Sequence, residues 1–331
     1  MRVAIVSDAW HPQVNGVVRT LSAVCEGLNE AGHQAIVLGP DGYRTVPCPG
    51  YATIRLAIGA GRRLGRQLAD FAPHAVHIAT EGPLGLAARA FCQARGWRFT
   101  TAYHTRFPEY LRARTGLPLG WSYAVLRRFH APSQSVMVAT ETMRRELAAR
   151  GFGRIVAWTR GVDTTLFRPG CTPALALPRP VFVYVGRIAV EKNLPAFLDL
   201  DLPGSKLVVG DGPLLAALRR RYPAVHFAGA QSGEALVRHY AAADVMVMPS
   251  RTETFGLVML EALACGVPVA AFPAAAPLDV LGNSGAAALD EDLGRAALAA
   301  LAIPRERCRA YAERFSWQAS VEQFLAHLAW L

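Results

Sequence analysis

Short apolar runs alternate along this chain with stretches in which apolar positions recur at three- and four-residue spacing. The first run, Arg2-Val3-Ala4-Ile5-Val6-Ser7, has the composition of a strand buried on both faces, and helical spacing continues from Val17 to about Ala31. Further strands are predicted near 35–38, 52–56, 75–79, 98–102, 135–139 and 154–158, with helices between. The pattern then repeats, with strands near 181–185, 206–209, 225–228, 244–248 and 268–271 and helical stretches such as Pro213 to Tyr222 and Gly233 to Ala243. Alternation of this kind predicts α/β domains, each a parallel sheet covered on both faces. The break between the halves, Gly161 to Pro180, holds Pro169, Gly170, Pro173, Pro178 and Pro180 and reads as a linker. Expected domains are therefore 1–165 and 176–314, with an amphipathic helix in 315–331 packing back on the first.

Composition narrows the class. A chain of 331 residues, 52% of them hydrophobic, is long enough for two substantial cores. It contains no uninterrupted run of about 18 apolar residues and no charged-then-apolar leader with a cleavage site, so a cytoplasmic protein is expected. The six cysteines are scattered, without a Cys-x-x-Cys or Cys/His cluster, which indicates neither zinc nor disulfides. Charge is unevenly divided. Residues 1–170 hold 21 arginines against 10 carboxylates, whereas 171–331 hold 14 cations against 15 carboxylates, so the whole surplus lies in the first half.

Candidate chemistry gathers at strand ends. In Glu253-Thr254-Phe255-Gly256-Leu257-Val258-Met259-Leu260-Glu261, two carboxylates flank the start of a predicted helix with seven residues between them. A helix entered near Phe255-Gly256 offers unpaired N–H groups and a positive dipole end to a diphosphate, and the two carboxylates can accept hydrogen bonds from hydroxyls on either side. On spacing alone, Glu253 reads equally as a cap and Glu261 as a solvated helix residue. A second strand, Val181 to Val185, leads into Gly186-Arg187-Ile188-Ala189-Val190-Glu191-Lys192-Asn193 and so brings two cations within reach of one diphosphate, unless both are ordinary surface charges. Gly16 stands before the first helix, where a missing side chain lets backbone approach an anion, although Asn15-Gly16 alone also reads as a turn. Near Thr100 a strand ends in His104-Thr105-Arg106, and a histidine there is either structural or functional.

These four stretches together resemble the retaining nucleotide-sugar glycosyltransferases of family four, whose GT-B fold sets two doubly wound, Rossmann-like parallel-sheet domains facing each other with a C-terminal crossover helix. The resemblance implies that Glu253 faces the donor hexose and Glu261 holds the ribose, with Thr254, Phe255, Gly256 and Leu257 presenting backbone N–H groups to the phosphates. It further implies that Gly16, Arg187 and Lys192 serve the diphosphate without metal or cofactor. His104 would lie near the reacting sugar, and Arg106 and Tyr110 on the acceptor side. Gly161-Val162-Asp163 is similar to the family's interdomain element. Transfer with retention is implied, by front-face displacement, since no nucleophile is evident. Asn15 to Leu21 and Ser250 to Val258 are similar to bacterial enzymes that glycosylate diacylglycerol or related lipids, and GDP-mannose-dependent mannosyltransferases share the same motifs. The donor expected is thus a UDP- or GDP-hexose. The single short helix that fits between Asn193 and Lys206, Leu194 to Leu200, departs from the longer helix of many members.

The arginine surplus then gains meaning, because the first domain of such enzymes meets the acceptor. Arg55, Arg62, Arg63 and Arg66 mark one basic stretch; Arg112, Arg114, Arg127 and Arg128 flank another that holds Leu111, Leu117, Leu119, Trp121, Tyr123, Val125 and Leu126. Cations interleaved with such residues suit an anionic bilayer, each near-surface arginine adding about 1 kcal/mol, so the expected place is peripheral, on the inner face of the cell membrane, with a lipid or glycolipid acceptor. No helix-turn-helix, RNP or zinc-finger pattern supports nucleic acid. Rival readings are an α-mannosyltransferase acting on another acceptor, a sugar-nucleotide epimerase of the same fold, and a non-catalytic sugar-nucleotide sensor.

Overall fold

The computed structural model describes residues 1–13, 15–48 and 51–331. The chain divides into two compact units, Met1–Arg160 with Trp317–Leu331, and Gly161–Ser316. Residues 161–165, read above with the first domain, group with the second unit. There the Arg309 guanidinium donates to the carbonyls of Thr164, Phe167 and Ala264, and the Val162 amide donates to that of Phe315.

The strands of the first unit are β1 (Arg2–Val6), β2 (Gln34–Leu38), β3 (Thr45–Cys48), β4 (Tyr51–Ala57), β5 (Ala75–Ile78), β6 (Thr100–Ala102), β7 (Val136–Val138) and β8 (Ile155–Ala157). Six of them form one parallel sheet in the order β2-β1-β5-β6-β7-β8. The stretch 52–56, expected in that sheet, instead lies in β4, which pairs antiparallel with β3 as a separate hairpin. Parallel pairing needs a crossover of a dozen or more residues, and only two separate β3 from β4. Alternate residues of β1 feed two cores. Val3 and Ile5 pack with Leu21, Val24 and Leu28 of helix Gly16–Glu30 and with Phe324 of the last helix, Trp317–His327. Ala4 and Val6 pack with Leu64, Leu84 and Phe99. The last helix is held by Val321, Phe324 and Leu328, each such side chain worth about 1.5–3 kcal/mol of burial.

The second unit repeats the plan with β9 (Val181–Val185), β10 (Ser205–Val209), β11 (His226–Gly229), β12 (Val245–Met248), β13 (Val269–Ala271) and β14 (Ala287–Leu289). The sheet is again parallel, in the order β11-β10-β9-β12-β13-β14. β14 was not expected, because Ala-Ala-Leu carries no β-branched residue. In each sheet the strand order reverses once, between β1 and β5 in the first and between β9 and β12 in the second. Ligands of open α/β sheets sit beyond the carboxyl ends of the strands at such a point.

The basic segment near residue 120 is two helices, Phe107–Thr115 and Leu119–His130, parted by Gly116 in a left-handed conformation and by Pro118. Trp121 and Val125 are exposed, while Tyr123 and Leu126 are buried. Among the described residues no helix is long and apolar enough to cross a membrane.

Candidate active site

At the switch point of the second unit, the loops following β9 and β12 are stitched together. Asn193, itself at φ +52°, donates through Nδ2 to the Pro249 carbonyl at 3.2 Å. The Glu191 carbonyl accepts from Thr252 Oγ1 at 3.1 Å and from the buried Ser250 hydroxyl at 3.4 Å. Across this seam Lys192 Nζ meets Glu253 Oε1 at 2.5 Å, with the two side chains only 17% and 13% exposed. The Tyr184 phenol sits beneath. Burial pushes its pKa up; Lys192 and Arg187 oppose that shift as cations, while Glu253 and Glu191 add to it as carboxylates. That hydroxyl donates to the Arg187 carbonyl at 2.8 Å, fixing the turn that presents Arg187. The loop after β10 closes against this turn: a Cβ on Gly210 would lie 1.9 Å from the Gly186 oxygen, so only glycine lets the two backbones touch.

Helix Leu257–Ala264 starts at this seam. Gly256 precedes it at φ +81° and brings no side chain of its own to the helix start, where a positive dipole end favours an anion. Thr254, Gly256 and Leu257 are half-buried around the turn, and Phe255 is buried and anchors it. Glu261 lies in the second turn of the helix and is buried rather than solvated, its Oε2 accepting from the Tyr240 hydroxyl at 3.3 Å. A pair of carboxylates, two cations and a helix start can together bind a diphosphate carrying hydroxylated groups at either end.

The first unit treats its switch point differently. Asp8, just after β1, accepts from the amides of Leu84 and Gly85 at 2.9 and 3.3 Å and from Thr80 Oγ1 at 2.9 Å, so its own carboxylate caps helix Pro83–Ala94. Burial raises the pKa of that carboxyl against these hydrogen bonds. Gly16 is the exposed first residue of its helix, and Asn15 Oδ1 takes the amides of Val17 and Val18, both at 3.0 Å.

His104 follows β6, where Nδ1 meets Nη2 of the buried Arg160 at 3.3 Å and its ring stands edge-on to Trp158. Burial, then Arg160 and His77, hold its pKa well below the usual histidine range. Arg106 is turned inward. It makes a bidentate pair with Glu146 at 2.8 and 3.1 Å and lies 3.7 Å from Glu109, so its guanidinium serves an internal ion pair. Tyr110 is half-buried in helix Phe107–Thr115. Arg160, Tyr184, Asp8 and Tyr240 were not foreseen. Of what surrounds them, only Gly210-Asp211-Gly212 directly after a strand carried a readable sign, a glycine-rich phosphate-loop pattern.

Two parallel-sheet units, one with charged loops joined at its switch point, are the architecture of the GT-B fold. The whole chain superposes on solved structures of that class. It matches sucrose-phosphate synthase from Thermosynechococcus elongatus with TM-score 0.75 at 21% identity, covering 98% of this chain and 97% of that one. It matches Anabaena Alr3699/HepE in complex with UDP and glucose with TM-score 0.72 at 14% identity, covering 98% of each chain. The Glycosyltransferase Family 4 model matches residues 14–166 and the Glycosyl transferases group 1 model residues 179–303. A GDP-mannose-dependent alpha-mannosyltransferase of Mycobacterium tuberculosis is 32% identical over 311 residues, spanning 85% of this chain and 81% of that protein. Sulfoquinovosyl transferase SQD2 of Arabidopsis thaliana is 31% identical over 277 residues, 77% of this chain and 53% of that protein. The chain belongs to glycosyltransferase family 4 and is a hexosyltransferase that uses a nucleotide sugar.

Proposed function

We propose that this enzyme moves a hexose, with retention, from a nucleoside-diphosphate sugar to the hydroxyl of a membrane lipid or glycolipid. The observation that carries this reading is the Lys192–Glu253 pair at the switch point of the second unit, on the two loops that also hold Arg187 and Gly256. In this reading Arg187, Lys192 and the amides near Gly256 take the charge that builds on the departing diphosphate, in place of a metal ion. Glu253 accepts from hexose hydroxyls and Glu261, steadied by Tyr240, from the ribose. Gly16 lends backbone to the diphosphate and His104 serves the hexose. The bond from the anomeric carbon to the phosphate oxygen breaks as the acceptor oxygen bonds that carbon on the same face. The acceptor proton passes to the leaving diphosphate.

The names of three relatives at 30–32% identity support GDP-mannose as the donor. A relative named for phosphatidylinositol dimannoside, 33% identical over 224 residues, supports a lipid acceptor. So do the exposed Trp121 and Val125 on the helix that also carries the exposed Arg127 and Arg128, which suits a peripheral place on an anionic leaflet. The test is incubation of purified protein with labelled GDP-mannose, UDP-glucose and UDP-galactose, with and without membrane extract, followed by separation of lipids. Labelled lipid and lipid-dependent release of nucleoside diphosphate are expected. Conversion of the sugar nucleotide without acceptor would indicate an epimerase instead, and binding without turnover a sensor.

A further inference from the structure

We infer that Arg160 fixes the tautomer of His104, placing the ring proton on Nε2 so that the imidazole acts as a neutral hydrogen-bond donor and not as a base. A guanidinium has donors and no acceptor. The contact of Nη2 with Nδ1 at 3.3 Å therefore requires Nδ1 to accept, and a neutral ring that accepts at Nδ1 carries its proton at Nε2.

Arg160 is well held for this task. It is 3% exposed, its Nη1 donates to the carbonyls of Trp158 at 2.6 Å and Thr159 at 3.1 Å, and its guanidinium lies 4.0 Å from the centre of the Trp158 ring. Among the described residues it meets no carboxylate, so its charge is undiluted beside His104 and opposes protonation of the ring. Burial lowers its own pKa to about 9, which leaves it protonated at neutral pH.

The last helix of the chain secures the arrangement. Trp158 Nε1 donates to Ser320, whose hydroxyl donates to the Thr159 carbonyl at 2.8 Å, and the Thr159 amide donates to Gln323 Oε1 at 2.9 Å. Helix Trp317–His327 thus pins residues 158–160, and through them His104. Arg160 is a positioning residue. The benefit to transfer, a donor aimed at a hexose oxygen, rests on the function proposed above.

Nitrogen-15 spectroscopy of the histidine rings reads the tautomer directly, with the His104 signals assigned as those missing in His104→Gln. The wild type is expected to show Nδ1 unprotonated and Nε2 protonated, and Arg160→Met a mixture of tautomers with a lower kcat. A wild-type ring protonated at Nδ1, or an Arg160→Met protein with unchanged tautomer and kcat, overturns the assignment. The pair His104→Gln and His104→Asn tests the donor without disturbing Arg160, since a glutamine amide reaches the place of Nε2 and an asparagine amide only that of Nδ1. Glutamine is expected to keep kcat within about tenfold and asparagine to lose about a hundredfold, the cost of one missing donor; equal losses count against the inference. The spectrum needs no substrate. A locked tautomer in a protein that transferred nothing would retire the proposed function and leave Arg160 in its role.

Discussion

The two switch points of this enzyme are built alike and finished differently. In the first unit the helix after β5 begins under the carboxylate of Asp8, which takes the amides of Leu84 and Gly85. In the second unit the helix after β12 begins at Gly256, which has no side chain to cap it, beside a lysine and a glutamate drawn from two loops. The same topology thus carries a carboxylate drawn onto helix amides at one switch point and a lysine–glutamate pair at the other; under the function proposed above, the second is the diphosphate grip. Charge diverges too, since the surplus cations all lie in the first half of the chain.

The largest effect that sharpens this contrast is on transfer. Lys192→Ala and Glu253→Ala are each expected to lower the transfer rate by about 10²–10³ in steady-state assays, with circular dichroism still that of a folded protein. Retention of full activity by either would count heavily against the grip. Gly210→Ala comes next, because its Cβ would overlap the Gly186 oxygen and its φ of +149° disfavours a side chain; a loss of about 3 kcal/mol is expected by denaturant titration. A neutral response there would mean that the β9 and β10 loops do not touch.

How much of this was legible in the sequence divides along the same line. The candidate site of the second unit was readable because Arg187, Lys192, Glu253 and Glu261 lie within short segments that begin at strand ends, where local pattern and chemistry coincide. Residues that cooperate across the chain were not readable: Arg160 reaches His104 over 56 positions, and its neighbour Thr159 is held by Ser320 and Gln323 of the last helix. The β3–β4 hairpin was read as a sheet strand because an apolar run looks the same in either setting. Arg106, set on the acceptor side by resemblance, is turned onto Glu146, a residue 40 positions away that no local spacing connects to it.

A smaller effect separates the units by pH. His77, buried in the first unit, has its pKa lowered to about 3 by burial, with repulsion from Arg160 second, and His104 is shifted in the same direction. The unfolded chain binds protons at these rings below about pH 6.5 while the folded one does not, so stability present above that pH falls on acidification, by about 2 kcal/mol at pH 5 for His77 alone. Thermal melts from pH 7.5 to 5 are expected to show this fall, and His77→Gln to flatten it; a melting temperature that rises with acid contradicts the burial of neutral histidine. The smallest effect is at the surface. Trp121→Ser, at a side chain 62% exposed, is expected to leave stability within about 0.5 kcal/mol and to weaken cosedimentation with phosphatidylglycerol vesicles severalfold. Unchanged cosedimentation would remove this helix from any membrane contact.

Calorimetric titration of the wild type, Arg187→Ala, Lys192→Ala and Asp8→Ala with GDP and UDP in the presence of a chelator tests the proposed diphosphate grip most directly. Binding of at least one nucleotide, weakened more than tenfold by each loss of a cation and untouched by loss of the Asp8 cap, is the expected result. No heat with either nucleotide, or equal affinity in all four proteins, would contradict it.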